Sequence, residues 1–567
     1  MTRTANLFSG ATRWKASALR HSLISAVALC IFRSAHAQAP AITSISPQSA
    51  TIGSTITITG SHFFPAASAN TVCFNGVQGT VLSASANQLN VAVPPCAGFG
   101  PITVTAGGLT AYSLQQFSTS FFSSDVLNMG PQINFLAGPD YITRCAIADL
   151  DGDGRPDVVA VNSWSNSISI VPNGCVAGTF DTNLFLLPMS FDTQPWPFAV
   201  AIGDLDGDGR PDIVVAYHGN NTGYGTNFIS VFQNTSTAGS ISFKPRVDIS
   251  IGNAFFIHSA LIYDLDGDGR PDILAGYFVL QNKITNGIIA TNSFGPMINL
   301  QASAENLAVA DLDGDGKPDI IGNGEQLWIV RNLAVPGTLT TSSFAAPVTL
   351  SALGGGGNVG GVAVADFDGD GRPDIAAVVS VGTYLRFFKN QSTIGNISSN
   401  AFRSSAPIAQ LAAGAPIAAG DFNGDGKPDL AVAGVGIYIN QSAIGSLDSN
   451  SFTQPHPVPM QTECIQVADL DGDGKPDLIS GVGTSFSVLR NSSVAAPATI
   501  VPVGAKPDGS FTITLASKIH SVYTLENSAD FSQWSPLATL TNDTGTISYD
   551  DPTAKDGLIR FYRTTSR

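Results

Sequence analysis

Seven copies of a short acidic string recur along this chain of 567 residues. The string reads DxDGDGxPD in six copies, and in the sixth copy along the chain Asn423 replaces the second Asp. Carboxylate and carbonyl oxygens from a tightly wrapped loop are the ligands that Ca²⁺ prefers. The copies begin 47 to 60 residues apart. The spacing therefore predicts a repeated architecture with up to seven Ca²⁺ sites.

The candidate ligands occupy positions one, three, five and nine of each string, together with the backbone carbonyl of position seven. In the first copy they are Asp149, Asp151, Asp153, Arg155 and Asp157. The corresponding residues of the other copies are Asp204, Asp206, Asp208, Arg210 and Asp212; Asp264, Asp266, Asp268, Arg270 and Asp272; Asp311, Asp313, Asp315, Lys317 and Asp319; Asp366, Asp368, Asp370, Arg372 and Asp374; Asp421, Asn423, Asp425, Lys427 and Asp429; and Asp469, Asp471, Asp473, Lys475 and Asp477.

Glycine and proline in the string suit a loop that wraps around an ion. Gly152 and Gly154 can adopt the left-handed backbone conformations that tight wrapping demands. Pro156 biases Arg155 toward an extended conformation. We expect the basic residue at position seven to have a solvated side chain and a functional carbonyl.

The net charge of -16 is largely explained by these strings, which hold 27 of the 43 acidic residues. Bound divalent ions would neutralise that charge locally. Nothing in the sequence forms a basic stripe, so we expect no nucleic-acid partner.

The EF-hand also begins with oxygen ligands at alternate positions, but it needs a Glu at the twelfth position and flanking helices. None of the seven twelfth residues is acidic, and strand-like segments flank the strings, so the EF-hand is excluded. The twelfth residues are Ala160, Val215, Ala275, Gly322, Ala377, Val432 and Ser480.

Each repeat of about fifty residues contains four strand-like segments, as in a propeller blade. A strand of small residues enters the first Asp, an apolar strand follows the string, a third strand usually ends in Asn, and a fourth tends to begin with Phe. Tyr263 breaks the small-residue rule and is expected to narrow the central channel. Since the last repeat stops at Asn491, we predict that residues 121–136 supply its outer strand and close the ring.

The strings and their strand context resemble the FG-GAP or VCBS repeats of integrin α-subunit propellers and of many exported bacterial proteins. The resemblance covers residues 119–495. It implies a seven-bladed β-propeller with Ca²⁺ in the loops between the first and second strands of each blade. Asn423 keeps an oxygen ligand but removes one charge, so the resemblance implies weaker binding in that copy.

Two smaller units flank the repeats. Residues 39–118 contain alternating segments such as TITITG and PITVTAGG and resemble an immunoglobulin-like IPT/TIG domain. Residues 499–567, with YTLENSADFSQWSPL, resemble a small C-terminal β-sandwich of exported bacterial proteins. The predicted fold class is therefore all-β: a seven-bladed propeller between two β-sandwiches.

Residues 1–37 read as an export signal. Basic residues precede the apolar run 22–32, and Ala35-His36-Ala37 provides a small-x-small cleavage pattern. The run is too short to span a bilayer, so we expect a secreted or surface-exposed protein without a transmembrane anchor. In an oxidising compartment Cys73 and Cys96 are the expected disulfide pair, because both fall in the first domain. The pairing of Cys145, Cys175 and Cys464 stays open.

We expect the ions to stabilise the scaffold and a glycan or protein ligand to bind the face opposite the Ca²⁺ loops. Aromatic and histidine side chains concentrate there, which suits sugar rings or a partner protein. They are Trp164, Trp196, Tyr217, His218, Tyr224, Phe255, Phe256 and His258.

Adhesion or binding is the preferred function, and the oligomeric state stays open. No nucleophile elbow, phosphate loop or zinc-binding cluster appears, which indicates a protein that is not an enzyme. The alternative is an exported polysaccharide lyase or hydrolase. It would need a cleft with convergent Lys, Arg, His or Tyr.

Overall fold

The computed structural model describes residues 38–566 except 122–126, 177, 219–226, 253–256, 303, 325, 351–359, 380–383, 412–414, 461–462, 494–498, 509, 517–520, 530–532, 543–545 and 557–559. The predicted export signal lies outside this range. The described helices are four short 3-10 turns, Ala67–Ala69, Thr341–Ser343, Ser399–Ala401 and Pro552–Asp556. Among the described residues, no helix has the length and apolar character needed to cross a bilayer.

The N-terminal domain is a β-sandwich formed by one continuous eight-stranded sheet, which encloses a core that includes Ile56, Ile58, Val72, Phe74 and Phe117. The strands are β1 (Ala41–Ser46), β2 (Ser49–Ala50), β3 (Thr55–Ser61), β4 (Asn70–Phe74), β5 (Val77–Ala84), β6 (Gln88–Ala92), β7 (Gly100–Ala106) and β8 (Leu109–Thr119).

Seven separate sheets follow, one for each acidic string, and β9 (Ile133–Leu136) precedes the first of them. Blade 1 consists of β10 (Ile142–Ala148), β11 (Asp157–Asn162), β12 (Ser167–Val171) and β13 (Met189–Asp192). Blade 2 consists of β14 (Pro197–Gly203), β15 (Asp212–Tyr217), β16 (Asn227–Phe232) and β17 (Val247–Gly252). Blade 3 consists of β18 (Ala260–Tyr263), β19 (Asp272–Ala275), β20 (Phe278–Leu280) and β21 (Ile298–Asn299).

The remaining blades keep the same antiparallel order. Blade 4 consists of β22 (Asn306–Ala310), β23 (Asp319–Asn323), β24 (Leu327–Val330) and β25 (Val348–Thr349). Blade 5 consists of β26 (Val362–Ala365), β27 (Asp374–Val379), β28 (Tyr384–Asn390), β29 (Phe402–Ser404) and β30 (Ala409–Gln410). Blade 6 consists of β31 (Ile417–Gly420), β32 (Asp429–Val432) and β33 (Gly436–Tyr438). Blade 7 consists of β34 (Cys464–Ala468), β35 (Asp477–Val482) and β36 (Ser485–Leu489), with β9 as its outer strand.

The seven sheets form a closed ring. The inner strand of each blade contacts the inner strand of the next, and β34 of blade 7 contacts β10 of blade 1. Second strands such as β11 are buried along their whole length, because neighbouring blades cover both faces of each sheet. The predicted all-β propeller between two sandwiches is confirmed.

Blade 7 is completed by the segment that precedes blade 1, as the sequence predicts. Strand β9 pairs with β36 in antiparallel register, with Phe135 opposite Phe486. Met129 also forms a bridge with Asn491.

The expected Cys73–Cys96 disulfide is wrong. The structure instead joins Cys145 of β10 to Cys464 of β34, which ties blade 1 to blade 7. Cys73, Cys96 and Cys175 are free thiols. Cys96 does not pair with Cys73, because its loop faces blade 7. There its backbone N–H donates to Asp469 Oδ2 at 3.1 Å.

The fourth strand does not generally begin at the recurring Phe. In five blades this Phe forms an isolated bridge with the Asn that follows the third strand, ahead of any outer strand. In blade 5 alone among the described sheets, Phe402 begins a strand. The five bridges are Asn173–Phe185, Asn234–Phe243, Asn282–Phe294, Asn332–Phe344 and Asn440–Phe452.

We call the side of the ring that carries the seven strings the motif face, and the opposite side the far face. The N-terminal domain rests on the motif face. Thr110 N–H donates to the carbonyl of Gly269 at 2.7 Å, and Gln116 Nε2 donates to the carbonyl of Val364 at 3.0 Å. Tyr263 packs against Tyr112 with ring centroids 4.4 Å apart. Both tyrosines line a central cavity of about 560 Å³, which the N-terminal domain bounds at this end.

The C-terminal domain is built from two three-stranded sheets around a core of Ile513, Leu515, Tyr523 and Leu525. Its strands are β37 (Thr499–Ala505), β38 (Phe511–Ala516), β39 (Ser521–Ser528), β40 (Ser535–Asn542), β41 (Thr546–Asp551) and β42 (Phe561–Ser566).

Candidate functional site

The first Asp of each string folds its own loop. Asp149 Oδ1 accepts the backbone N–H groups of Gly152 at 2.8 Å and Asp153 at 3.0 Å, and Oδ2 accepts that of Gly154 at 2.9 Å. Gly152 and Gly154 have φ of 73° and 86°, the left-handed region expected from the sequence. The loop therefore wraps around a carboxylate at its centre.

The ninth Asp joins the loop to the third strand. Asp157 Oδ2 accepts the backbone N–H of Leu150 at 3.0 Å, while Oδ1 accepts that of Asn173 at 2.9 Å. The side chain is fully buried. Each carboxylate oxygen keeps a second lone pair, so the ninth Asp can still serve as a ligand.

Carboxylate oxygens converge in the loops, and the converging positions are mainly one, three and nine. In blade 1 the oxygens of Asp149, Asp151 and Asp157 lie within 4.8 Å of one another. Blades 2, 3 and 5 bring together the same positions, whereas blade 4 brings together positions one, three and five. The further groups are Asp204, Asp206 and Asp212; Asp264, Asp266 and Asp272; Asp366, Asp368 and Asp374; and Asp311, Asp313 and Asp315.

The basic residue at position seven keeps an exposed side chain, as expected, and also makes contacts within its loop; the arginine side chains of blades 1, 2 and 5 are 39%, 46% and 44% exposed. Arg155 pairs with Asp153 and donates from Nε to the carbonyl of Asn173 at 3.0 Å. Arg210 and Arg372 make the same pair of contacts in blades 2 and 5. Position five is thereby paired with a cation in those blades.

The electrostatics of these loops suit a bound cation. Burial raises the pKa of Asp149 to about 6 and those of Asp157 and Asp374 to about 8. Asp374 Oδ2 is buried and has no hydrogen-bond partner among the described residues. An all-oxygen donor set with an unsatisfied buried carboxylate fits a hard cation such as Ca²⁺.

A ring of asparagines connects the blades. The sequence predicted these residues only as the usual ends of the third strands. Each Asn donates from Nδ2 to the position-two carbonyl of the preceding blade; Asn234, for example, reaches Leu150 at 2.8 Å. Asn173 of blade 1 reaches Leu470 of blade 7 and closes the circle. The other five links are Asn282–Leu205, Asn332–Leu265, Asn390–Leu312, Asn440–Phe367 and Asn491–Phe422.

The predicted aromatic patch is only partly formed. Trp164 and Trp196 are 71% and 49% exposed on the far face, and His218 is half-buried. Tyr217 is buried within blade 2, where its hydroxyl donates to Ser230. Its inclusion in the patch is therefore wrong. Tyr224, Phe255 and Phe256 lie outside the described residues.

Rings stack where the central channel opens on the far face. His218 and His258 are stacked with centroids 4.9 Å apart, and Phe198 lies 4.8 Å from His258. The guanidinium carbon of Arg144 lies 5.3 Å from the Phe198 centroid. Burial, with the nearby His218 and Arg144, lowers the pKa of His258 to about 4, so this ring is neutral at pH 7.

Charged residues join these rings from strands that are remote in sequence. Burial lowers the pKa of Arg144, and the nearby carboxylates of Glu463 and Glu305 partly offset this decrease. Tyr141 stacks on Trp164 with centroids 6.3 Å apart, and burial together with a hydrogen bond to Glu463 raises its pKa to about 12. We name this group the far-mouth cluster; it consists of Tyr141, Arg144, Trp164, Trp196, Phe198, His218, His258, Glu305 and Glu463.

Comparison with known families agrees with this architecture. The FG-GAP-like repeat family matches residues 149–215, 204–275 and 311–377, and the FG-GAP repeat family matches residues 413–436. The IPT/TIG domain family matches residues 40–120. The chain therefore contains FG-GAP-like repeats in its propeller and an IPT/TIG domain ahead of them. No curated protein sequence matches this chain.

Solved structures similar to the FG-GAP propeller are distant. An auxiliary nutrient binding protein from Bacteroides thetaiotaomicron is 10% identical with a TM-score of 0.33, over 80% of this chain and 98% of that one. Its counterpart from Bacteroides ovatus is 14% identical with a TM-score of 0.31, over 80% and 98%. A fungal alcohol oxidase is 10% identical with a TM-score of 0.39, over 78% and 93%. At these values the similarities carry no argument about function.

Proposed function

We propose that this FG-GAP propeller is an exported calcium-binding protein that recognises glycans through the far-mouth cluster. The observation that carries the proposal is the exposure of Trp164 and Trp196 on the far face, where Trp164 stacks on Tyr141 and the Trp196 carbonyl accepts the backbone N–H of His218. Exposed indole rings suit the apolar faces of sugar rings, and a guanidinium suits their oxygen atoms. The experiment must distinguish glycan binding from the binding of a protein ligand to the same face.

Ca²⁺ has a structural role in this proposal. The loops would hold it with the carboxylates of positions one, three, five and nine and the carbonyl of position seven, which supplies charge compensation for buried carboxylates. An ion present at about 100 times its dissociation constant stabilises the folded state by about 2.7 kcal/mol per site. The far-mouth cluster would be positioned by a rigid ring and would not contact the ions.

Export is part of the proposal for two reasons. Residues 1–37 have the charge and hydropathy pattern of an export signal. The Cys145–Cys464 disulfide suits an oxidising compartment, because cytosolic thiols are kept reduced.

The test is a glycan array probed with the mature protein in Ca²⁺ and again in chelator, at a temperature where the chelated protein is still folded. We expect glycan binding that depends on Trp164 and Trp196, with a loss in chelator only as the ring destabilises. Binding to protein ligands with no glycan signal would contradict the proposed ligand class.

Polysaccharide cleavage is the second candidate, and the far-mouth cluster favours it. Such an enzyme would need convergent Lys, Arg, His or Tyr side chains, and support for this candidate is that Arg144 and His258 line the same cavity while Tyr141 and Arg144 both interact with Glu463. Incubation of any bound glycan with the protein, followed by analysis of chain length and of unsaturated or reducing ends, distinguishes turnover from binding.

A further inference from the structure

The residue immediately before the strand-ending Asn differs from blade to blade, although the acidic string is almost constant. Three blades have a cation at this position, two have an amide and two have an apolar residue. From blade 1 to blade 7 the residues are Pro172, Gln233, Gln281, Arg331, Lys389, Ile439 and Arg490.

The three cations reach into the acidic loops of their own blades. Arg331 contacts Asp313 at 2.5 Å through Nε and Asp315 at 2.7 Å through a terminal nitrogen. Arg490 likewise contacts position three, Asp471, at 2.6 Å. Blades 4 and 7 therefore carry a tethered positive charge on the carboxylates that would bind calcium.

Lys389 of blade 5 makes the most enclosed contact. Its ammonium group touches Asp368 and lies 2.9 Å from Asp370, and its side chain is only 10% exposed. Moving this cation away from the carboxylates is costly, because a buried charge would lose its partners.

Blades 2 and 3 place a neutral donor at the same point. Gln281 Nε2 donates to Asp266 Oδ2 at 2.8 Å, and Gln233 makes the corresponding bond to Asp206. An amide satisfies one oxygen without adding charge, so the position-three carboxylates of these loops keep their negative charge for an ion.

The tethered cation does not complete the loop of blade 5. Asp374 Oδ2 is buried and without a hydrogen-bond partner among the described residues, whereas the contacts of Lys389 are with Asp368 and Asp370. Asp366, Asp368 and Asp374 also have oxygens within 4.8 Å of one another. The loop therefore retains a site for a cation, and the positive charge of Lys389 partly opposes its binding.

We infer that Arg331, Lys389 and Arg490 weaken calcium binding in blades 4, 5 and 7 relative to blades 2 and 3, so that these blades form a weak class and a tight class. The inference rests on the proposed calcium function and deepens it. The same cations supply charge compensation when calcium is scarce, which leaves these three blades less dependent on the ion than blades 2 and 3.

The test is calcium titration of the full-length, previously chelated protein by calorimetry, with bound ions counted by native mass spectrometry. Lys389→Gln is expected to move one ion from the weak to the tight class, with affinity raised on the order of tenfold or more. Gln233→Lys is the reciprocal variant and is expected to move one ion in the opposite direction. Arg386→Gln is the matched control, because Arg386 lies on the same strand but donates to the carbonyl of Ser405.

The outcomes separate this inference from the proposed function. Seven equivalent sites, or a Lys389→Gln variant that loses an ion or binds it with unchanged affinity, would overturn the inference alone. A wild-type protein that binds no calcium would overturn the proposed calcium function itself. If Lys389→Gln fails to fold in calcium, as judged by its melting curve, Gln233→Lys decides the question.

Discussion

Within the acidic string, aspartates at different positions have different structural roles. The first folds the loop by accepting three backbone N–H groups, and the ninth anchors the loop to the third strand. Position three has fewer such bonds and is the carboxylate that tethered cations and amides contact in five blades. Position three is therefore the place where the charge of each site can be tuned.

Stability in chelator should depend on pH with a defined sign. Burial raises the folded-state pKa values of Asp157 and Asp374 from 3.8 to about 8, so the ion-free folded protein binds more protons than the unfolded chain. We expect the melting temperature in excess EDTA to fall as pH rises from about 6.5 to about 8, and to be below that in calcium throughout. Differential scanning calorimetry measures both curves.

This pH window avoids His258, whose pKa of about 4 gives the opposite dependence only at lower pH. In saturating calcium the fall should disappear, because the ion holds the carboxylates in their charged form. Identical melting curves with and without EDTA would contradict both the site and its electrostatics.

The exposed tryptophans should matter for binding and little for stability. Trp164→Ala with Trp196→Asn is expected to lower glycan affinity by at least about tenfold, since stacked rings dominate such contacts. Asn is chosen because Trp196 has a left-handed backbone with φ of 62°. Affinity is measured by calorimetry on any glycan identified by the array.

Leu187→Ala is the control for the tryptophan pair, since Leu187 is a solvent-exposed apolar residue outside the far-mouth cluster. A variant pair that unfolds would assign the tryptophans to packing between blades. A folded pair with unchanged affinity would remove them from the binding surface.

At the scale of elements, β9 is the strand on which the seventh blade depends. Phe135 is buried, and its ring lies 5.1 Å from that of Phe185 and 5.7 Å from that of Phe486. Phe135→Ala should lower the free energy of unfolding by about 3–5 kcal/mol. Leu136→Ala, which alters an exposed neighbour on the same strand, should cost no more than about 0.5 kcal/mol.

Thermal or denaturant unfolding measures both β9 variants. A cost confined to Phe135→Ala supports β9 as an integral outer strand. Equal and negligible costs would show that blade 7 holds together without it.

Elements that depend on contiguous residues could be predicted from the sequence. The loop glycines, the strands around each string and the closure by β9 follow from local spacing and from counting strands. The direction in which a side chain points was harder to predict. Tyr217 is of a type common in binding sites, but its hydroxyl donates to Ser230 on the neighbouring strand, inside the blade. The tethered cations lie one residue before a recognised Asn, so aligning the seven third strands was the signal that could have found them.

At the scale of the whole molecule, contacts between the two ends of the repeat array were beyond sequence reasoning. Cys145 and Cys464 are 319 residues apart, and no spacing rule pairs them. Arg144 and Glu463 directly precede these two cysteines in the sequence. The contact between blades 1 and 7 that forms the disulfide therefore also brings these two residues of the far-mouth cluster together. Both exist only because the ring closes.

Removing the ring-closing disulfide should destabilise the whole propeller. Cys145→Ser with Cys464→Ser is expected to lower the free energy of unfolding by about 2–5 kcal/mol, because the bond closes a very long loop. Denaturant unfolding with and without reductant measures the effect, and reductant should bring the wild type to the level of the variant. Cys175→Ser, at a free buried thiol, is the control; a reductant effect that persists in the double variant would contradict this assignment.

The position of β9 ahead of blade 1 also sets an order of events for a chain that emerges from its N-terminus. Blade 7 needs residues 133–136 and residues 464–489 together, so no ring can close before nearly the entire repeat array has emerged. Such distant pairing makes closure a late and slow step. In the export that we propose, a chain threaded through a channel would stay open until its last repeat arrives, and closure on the outer side of the membrane would prevent its return.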